Sequence, residues 1–308
     1  MTYHKPVLLA EVIEGLKITS CGRYLDLTMG GGGHGMEIVK HLDIKNGLYI
    51  GVDQDADAVS HVAGVFSGYD NVRVYRDNFS SETLWQQLET FGGFDGILMD
   101  LGVSSHQLDA AHRGFSFRED APLDMRMSDE MPITAEDIVN HTPEKELADI
   151  IFMYGEERRS RQIARKICQS RPIHSTKELA DIVGSCFSSK ERHSMHIHPA
   201  TRTFQALRIA VNGELDALEK GLKHAIDALN KEGRLCVISY HSLEDRIVKQ
   251  LFKRESTKCI CDARMPICTC GHEAQVRVVH KKVILPTEVE QSDNPRSRSA
   301  KMRIVEKI

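Results

Sequence analysis

Leu25-Asp26-Leu27-Thr28-Met29-Gly30-Gly31-Gly32-Gly33-His34-Gly35 is the stretch from which the rest of the chain can be read. A short apolar run ends in an acidic residue, four glycines follow, and Met36 to Leu42 then carry apolar residues at helical spacing. Upstream, Arg23-Tyr24-Leu25 is β-prone and punctuated by Gly22. The order is strand, glycine turn, helix. Glycines there let the backbone bend sharply and approach a ligand closely, with helix N-terminal amides facing it.

Gly30, Gly32 and Gly35 meet the G-x-G-x-x-G pattern, and Asp53 closes Leu48-Tyr49-Ile50-Gly51-Val52-Asp53 at a distance that suits a ribose diol. Dinucleotide sites share this pattern. The acidic Asp26 ahead of the glycines is more typical of S-adenosylmethionine (SAM) sites. A tight turn without a ligand is the plain alternative, and four successive glycines burden it with backbone entropy.

Further strands follow at the spacing of a doubly wound sheet. Asn71 to Arg76 alternates and leads into Asp77-Asn78-Phe79, and Phe94 to Met99 reads as a buried strand delivering Asp100-Leu101-Gly102-Val103-Ser104-Ser105. Gly233 to Ser239 is a fifth strand opening onto Tyr240-His241, and a last one runs through Met302, Ile304 and Val305. In such a sheet the carboxyl ends of the strands line the ligand crevice. Asp77 and Phe79 are then placed to meet an adenine, with plain core packing the equal alternative for Phe79, and Asp100 faces cofactor and substrate together.

Residues 105–212 read differently. Gln107 to Met127 lacks periodicity but is rich in glycine, proline, Phe and charge, as a ligand-covering loop would be. Helical patterns run from about Ala135 to Phe187, with a capping box at Ser175 and Glu178. His198 to Arg208 then starts one long helix whose Phe204, Leu207, Val211, Leu215, Leu218 and Leu222 form a single stripe. The expected organisation is an α/β domain of residues 1–104 and 213–308, interrupted by an all-helical insertion of residues 105–212.

The chain has 308 residues, formal charge −4, no apolar run of membrane-spanning length and no basic, apolar opening signal. A cytoplasmic protein without a membrane partner is the expectation. The charge argues against an indiscriminate nucleic-acid binder. Locally, Arg158, Arg159, Arg161, Arg165, Lys166 and Arg171 crowd one segment, and Arg296, Arg298, Lys301, Arg303 and Lys307 another. Each cluster is as compatible with a solvated face as with phosphate contact. Of eight cysteines, Cys259, Cys261, Cys268 and Cys270 cluster. Four thiolates could hold a structural zinc, but one-residue spacing is less telling than two, and no metal ligand is assigned.

These segments together resemble the ribosomal small-subunit RNA cytosine-N4 methyltransferase family, known as RsmH or MraW. The matching motifs are His4-x-Pro6-Val7-Leu8, Gly32-Gly33-His34, Asp100 to Ser105, Gly114-Phe115-Ser116-Phe117, Pro122 to Met127 and Gly155-Glu156-Glu157-Arg158. His198 to Leu215, Ser239 to Arg246 and Asn294 to Arg298 complete the set, which spans nearly the whole chain. The resemblance implies a class I SAM-dependent methyltransferase (Rossmann-like α/β sheet) with a helical insertion for RNA recognition. It implies N4-methylation of a decoding-centre cytosine, cytosine-1402, in 16S ribosomal RNA, within the small subunit or an assembly intermediate. Family cofactor contacts carry onto Gly32, Gly33, His34, Asp53, Phe79, Asp100 and Gln107.

For the chemistry, the Asp100 carboxylate or a backbone carbonyl of Leu101 or Gly102 could accept from the cytosine N4–H group. Phe115, Phe117, Tyr240 and His241 are candidates for base stacking. An NAD-dependent oxidoreductase shares the glycine turn and Asp53 but gives no reason for the Asp100 loop. A non-catalytic ribosome-associated binding protein is the second rival, against which stand the intact Asp26, Asp53 and Asp100.

Overall fold

The computed structural model describes residues 6–308 apart from 263, 264 and 266, so His4 of the first motif lies outside the described residues. In chain order, α1 (Leu9–Leu16), β1 (Arg23–Asp26), α2 (Gly33–Lys40), β2 (Leu48–Asp53), α3 (Ala56–Val65), β3 (Val72–Arg76), α4 (Glu82–Glu89) and β4 (Phe94–Asp100) alternate. Helices alone follow: α5 (Ser105–Asp109), α6 (Ala135–His141), α7 (Glu144–Gly155), α8 (Ser160–Gln169), α9 (Thr176–Gly184), α10 (Ser189–Ser194) and α11 (Thr201–Asn212). The chain closes with α12 (Glu214–Asp227), β5 (Leu229–Ser239), α13 (Ser242–Glu255), β6 (Val276–Val278), α14 (Glu288–Asp293) and β7 (Lys301–Lys307). It divides into two compact units, Met1–Gly102 with Leu215–Ile308, and Val103–Glu214.

The first unit holds a seven-stranded sheet in the order β3-β2-β1-β4-β5-β7-β6. Strands β1 to β5 are mutually parallel, with Leu25 opposite Ile50 and Ile97, and Leu98 opposite Cys236. β7 runs antiparallel to both β5 and β6. This is the α/β arrangement of class I methyltransferases, and its antiparallel edge distinguishes it from the dinucleotide-binding order 3-2-1-4-5-6. The central strands are apolar almost throughout because both faces are covered. Neighbouring residues feed opposite cores: Ile97 and Met99 pack with Leu84, Leu88, Leu222 and Val248, while Leu98 packs with Val12, Leu16, Ile38 and Ile238.

The second unit buries its own core, including Leu147, Ile151, Ile163, Ile167, Leu179, Phe204 and Leu207. Among the described residues no helix is long and apolar enough to cross a membrane.

Two expectations need correction. The single long helix is two, because Gly213 adopts φ 57° and ends α11 in the left-handed region. Its stripe is divided accordingly: Phe204, Leu207 and Val211 belong to the second unit's core, Leu218 and Leu222 to the first unit's. The capping box at Ser175 is half made. Ser175 Oγ accepts from Glu178 N at 3.3 Å, but the Glu178 carboxylate takes the His174 N–H, at 3.0 Å, rather than that of Ser175.

Candidate active site at the carboxyl edge of the sheet

Parallel pairing brings the ends of β1, β2 and β4 to one edge, and each ends in an aspartate: Asp26, Asp53 and Asp100. The glycine turn sits among them. Gly30 N donates to Asp53 Oδ2 at 2.8 Å and Asp55 N to Oδ1 at 2.9 Å, which fixes the carboxylate's orientation. Gly32, at φ 79°, caps α2 in a conformation that side chains resist, and Gly33 opens the helix. Gly35 is needed for space: a Cβ there would lie 2.2 Å from the hydroxyl of Tyr49. That hydroxyl donates to Asp26 Oδ2 at 3.2 Å, and Thr28 N donates to Oδ1 at 3.1 Å.

His34 is buried on the first turn of α2. Its Nε2–H donates to Val7 O at 2.9 Å, which leaves Nδ1 facing Asp100 Oδ2 at 3.9 Å. Burial lowers its pKa, so the ring is neutral at pH 7. Asp100 is held from two further sides. Its backbone N–H donates to Thr28 Oγ1 at 2.5 Å, and the Tyr240 hydroxyl donates to its Oδ1 at 2.8 Å. Tyr240 itself is positioned by Glu244, whose Oε2 accepts the N–H groups of Tyr240 at 2.8 Å and His241 at 3.2 Å in a capping box on α13.

Desolvation dominates the electrostatics. It pushes Asp26 and Asp53 up to about 6 and Asp100 to about 7, with the Tyr240 hydroxyl opposing the shift at Asp100 and Glu244 adding to it. Among the described residues, no lysine or arginine pairs with any of the three. Three desolvated carboxylates at one sheet edge suit a ligand that brings positive charge.

The structure brings Gly32, Gly33, His34, Asp53 and Asp100 together around one turn. Phe79 lies two residues beyond Asp77, whose N–H donates to Asp53 O at 3.1 Å. Its half-buried ring packs on α12, close enough that a Cβ on Gly221 would meet it at 2.5 Å. Gln107 belongs to the second unit, where its Oε1 accepts from Ser104 N at 2.9 Å in the cap of α5. Tyr49, Thr28 and Glu244 belong to the site although no role for them is read from the sequence, Thr28 lying inside the glycine stretch and Glu244 inside Ser239 to Arg246. The signal for Glu244 is its place three residues after the capping His241.

Among the stacking candidates, Phe115 is core of the second unit and Phe117 packs on His198 and Phe204 at ring centroid distances of 4.6 and 4.8 Å. Both do structural work, as does His241 in capping α13. The basic clusters also separate. Arg171 bonds the carbonyls of Val139 and Thr142, and Arg159 pairs with Glu191 beneath a contact to the Phe187 ring. Arg303 is paired with Asp245, and Lys307 bonds Ile226 O. Arg158, Arg161 and Lys166 remain exposed on the second unit, and Arg298 on the first.

A family model described as the MraW methylase family matches residues 1–308. The Ribosomal RNA small subunit methyltransferase H of Clostridioides difficile (strain 630) is 48% identical over 312 residues, covering 99% of this chain and 99% of its own. Its namesake in Clostridium botulinum (strain Kyoto / Type A2) is 47% identical over 309 residues, with 99% of each chain covered. That of Brevibacillus brevis is 46% identical over 310 residues, covering 99% of this chain and 98% of its own.

Proposed function

The chain belongs to the MraW methylase family, and on that premise we propose that it methylates N4 of a decoding-centre cytosine in 16S ribosomal RNA, with SAM as the methyl source. The observation that carries the reading is the trio of carboxylates, without a lysine or arginine partner among the described residues, at the edge of a methyltransferase sheet, with Asp100 poised near neutral pH. SAM brings a cationic sulfonium and an already activated methyl group, so the protein's task is placement and proton management.

Asp53, its oxygens oriented by Gly30 and Asp55, is suited to accept ribose hydroxyls. The turn at Gly32 and Gly33 lets the backbone approach the cofactor, and buried His34 braces the helix start against Val7. Phe79 and Gln107 complete the proposed cofactor set. Cytosine N4 is a weak nucleophile because its lone pair is conjugated with the ring, and an acceptor on N4–H localises that pair. Asp100 suits this role: a carboxylate raised to about 7 accepts a proton at physiological pH and releases it readily. Exposed Arg158, Arg161 and Lys166 are suited to phosphate contact, and an acidic chain with local basic patches fits a folded RNA chosen by shape. The small subunit, or an assembly intermediate in the cytoplasm, is the substrate expected to exceed short RNA.

The test is methyl transfer from labelled SAM to small subunits lacking the modification, followed by nucleoside identification. N4-methylcytidine supports the reading. Measurable SAM binding with no label in the subunit would overturn the substrate, and label on another nucleoside would overturn the position.

A further inference from the structure

Between α13 and β6 lies a segment whose described residues have no apolar support. None of its described residues from Ser256 to Gln275 is buried, and Ile260, Met265 and Ile267 are among the most exposed large apolar residues of the protein. Its base is closed by Gln275 N donating to Glu255 O at 2.8 Å and by His272 Nε2–H donating to Arg254 O at 3.0 Å. Yet its four cysteines converge. The sulfurs of Cys259, Cys261, Cys268 and Cys270 all lie within 4.8 Å of one another, with separations of 3.4 Å (Cys259 to Cys268), 3.6 Å (Cys268 to Cys270) and 3.8 Å (Cys259 to Cys270).

We propose that this cluster is a structural zinc site, Cys259, Cys261, Cys268 and Cys270 binding one ion as four thiolates. A disulfide requires sulfurs about 2.05 Å apart, and none of these separations approaches that. A tetrahedral Zn–S₄ centre with bonds of about 2.3 Å places its sulfurs roughly 3.8 Å apart, which is the scale seen here. Backbone amides already face the sulfurs: Thr269 N donates to Cys261 Sγ at 3.4 Å, and the N–H groups of Ile260 and His272 point to Cys270. Such outer bonds orient and stabilise metal-bound thiolates. The ion also supplies what the segment lacks. A loop of this length without a core gains its order from a cross-link, and a four-cysteine site ties its two ends together. The four cysteines share no residue with the carboxylate cluster, so the role assigned to the ion is architectural.

The test is metal content of the full-length protein purified without added zinc or chelator, together with cobalt substitution. One equivalent of zinc per chain, and the intense visible bands of tetrahedral cobalt thiolate after exchange, are expected. Cys259→Ser and Cys268→Ser should lower bound metal to background, whereas Cys186→Ser, in the second unit's core, should retain it. Cleavage by a protease within residues 256–274 should become fast in the two metal-free variants while SAM binding persists, which distinguishes loss of the ion from global misfolding. Four freely titrating thiols in native protein that takes up no cobalt, or disulfides among these cysteines in freshly purified protein, would overturn the proposal.

Discussion

Replacing Asp100 with asparagine is expected to stabilise the free protein and abolish methyl transfer. The amide of the Asp100→Asn variant keeps an oxygen for the Tyr240 hydroxyl and leaves the backbone bond to Thr28 intact, so the main change is removal of a charge from a desolvated place. Asp100 is raised from 3.8 to about 7, and at roughly 1.4 kcal/mol per pKa unit the ionised carboxylate costs the fold up to about 4 kcal/mol. Because 22% of the side chain stays open to water, the expected gain is about 2–4 kcal/mol, or roughly 3–6 °C in Tm for a chain of this length. The sign follows from the raised pKa. The penalty is complete above the folded value near 7 and fades as pH falls toward the unfolded value near 4, so the variant's advantage should be full at pH 8 and vanish at pH 4. Differential scanning calorimetry of both proteins across that range, without and with SAM, measures it. SAM should raise the Tm of the wild type more than that of the variant. A variant no more stable than wild type at pH 8 would refute the desolvation argument, and one that still methylates would remove Asp100 from the chemistry.

Tyr240→Phe deletes the hydroxyl that favours the Asp100 carboxylate, so the acid limb of the kcat/KM profile should move to higher pH with SAM affinity at pH 8 little changed. Gly35→Ala drives a methyl into the Tyr49 hydroxyl and should cost about 1–3 kcal/mol of stability, with weakened SAM binding read by calorimetry. Arg158→Ala combined with Arg161→Ala should weaken binding to small subunits and flatten the log–log salt dependence by about 1.5, whereas Arg159→Ala should lower stability instead, because Arg159 is engaged with Glu191 and Phe187. Gly213→Ala forces φ 57° on a side chain and should cost about 1–2 kcal/mol, read as a lower urea midpoint.

Five parallel strands, the glycine turn and the aspartates were legible because each leaves a local mark: an apolar run, a breaker, an acid at a strand end. Three kinds of feature were not. β6 has three residues and depends on its neighbour β7, so it carries no period of its own. The end of α11 was hidden because Phe204 to Leu222 keep one spacing across Gly213, and only backbone dihedrals reveal that the stripe serves two cores. The third kind is tertiary: Tyr49 and Thr28 bond Asp26 and Asp100 across strands, and Arg171 and Arg303 look like RNA contacts in a charge count until their partners are seen. The fourth-strand motif announced Asp100, but its raised pKa comes from burial that composition does not display.

The pairing of β4 with β5 bears on how the protein is made. These strands are neighbours in the sheet, yet the whole second unit is synthesised between them. As the chain leaves the ribosome, β4 emerges with β1 on one side and an open, apolar edge on the other, and its missing partner arrives only after the second unit has been translated. That unit has a core of its own and can form first. Until β5 arrives, Ile97, Leu98 and Met99 sit on a strand whose free edge can recruit another chain. The nascent first unit is thus a natural client for a chaperone, and pausing of translation near residue 229 would prolong its vulnerable interval.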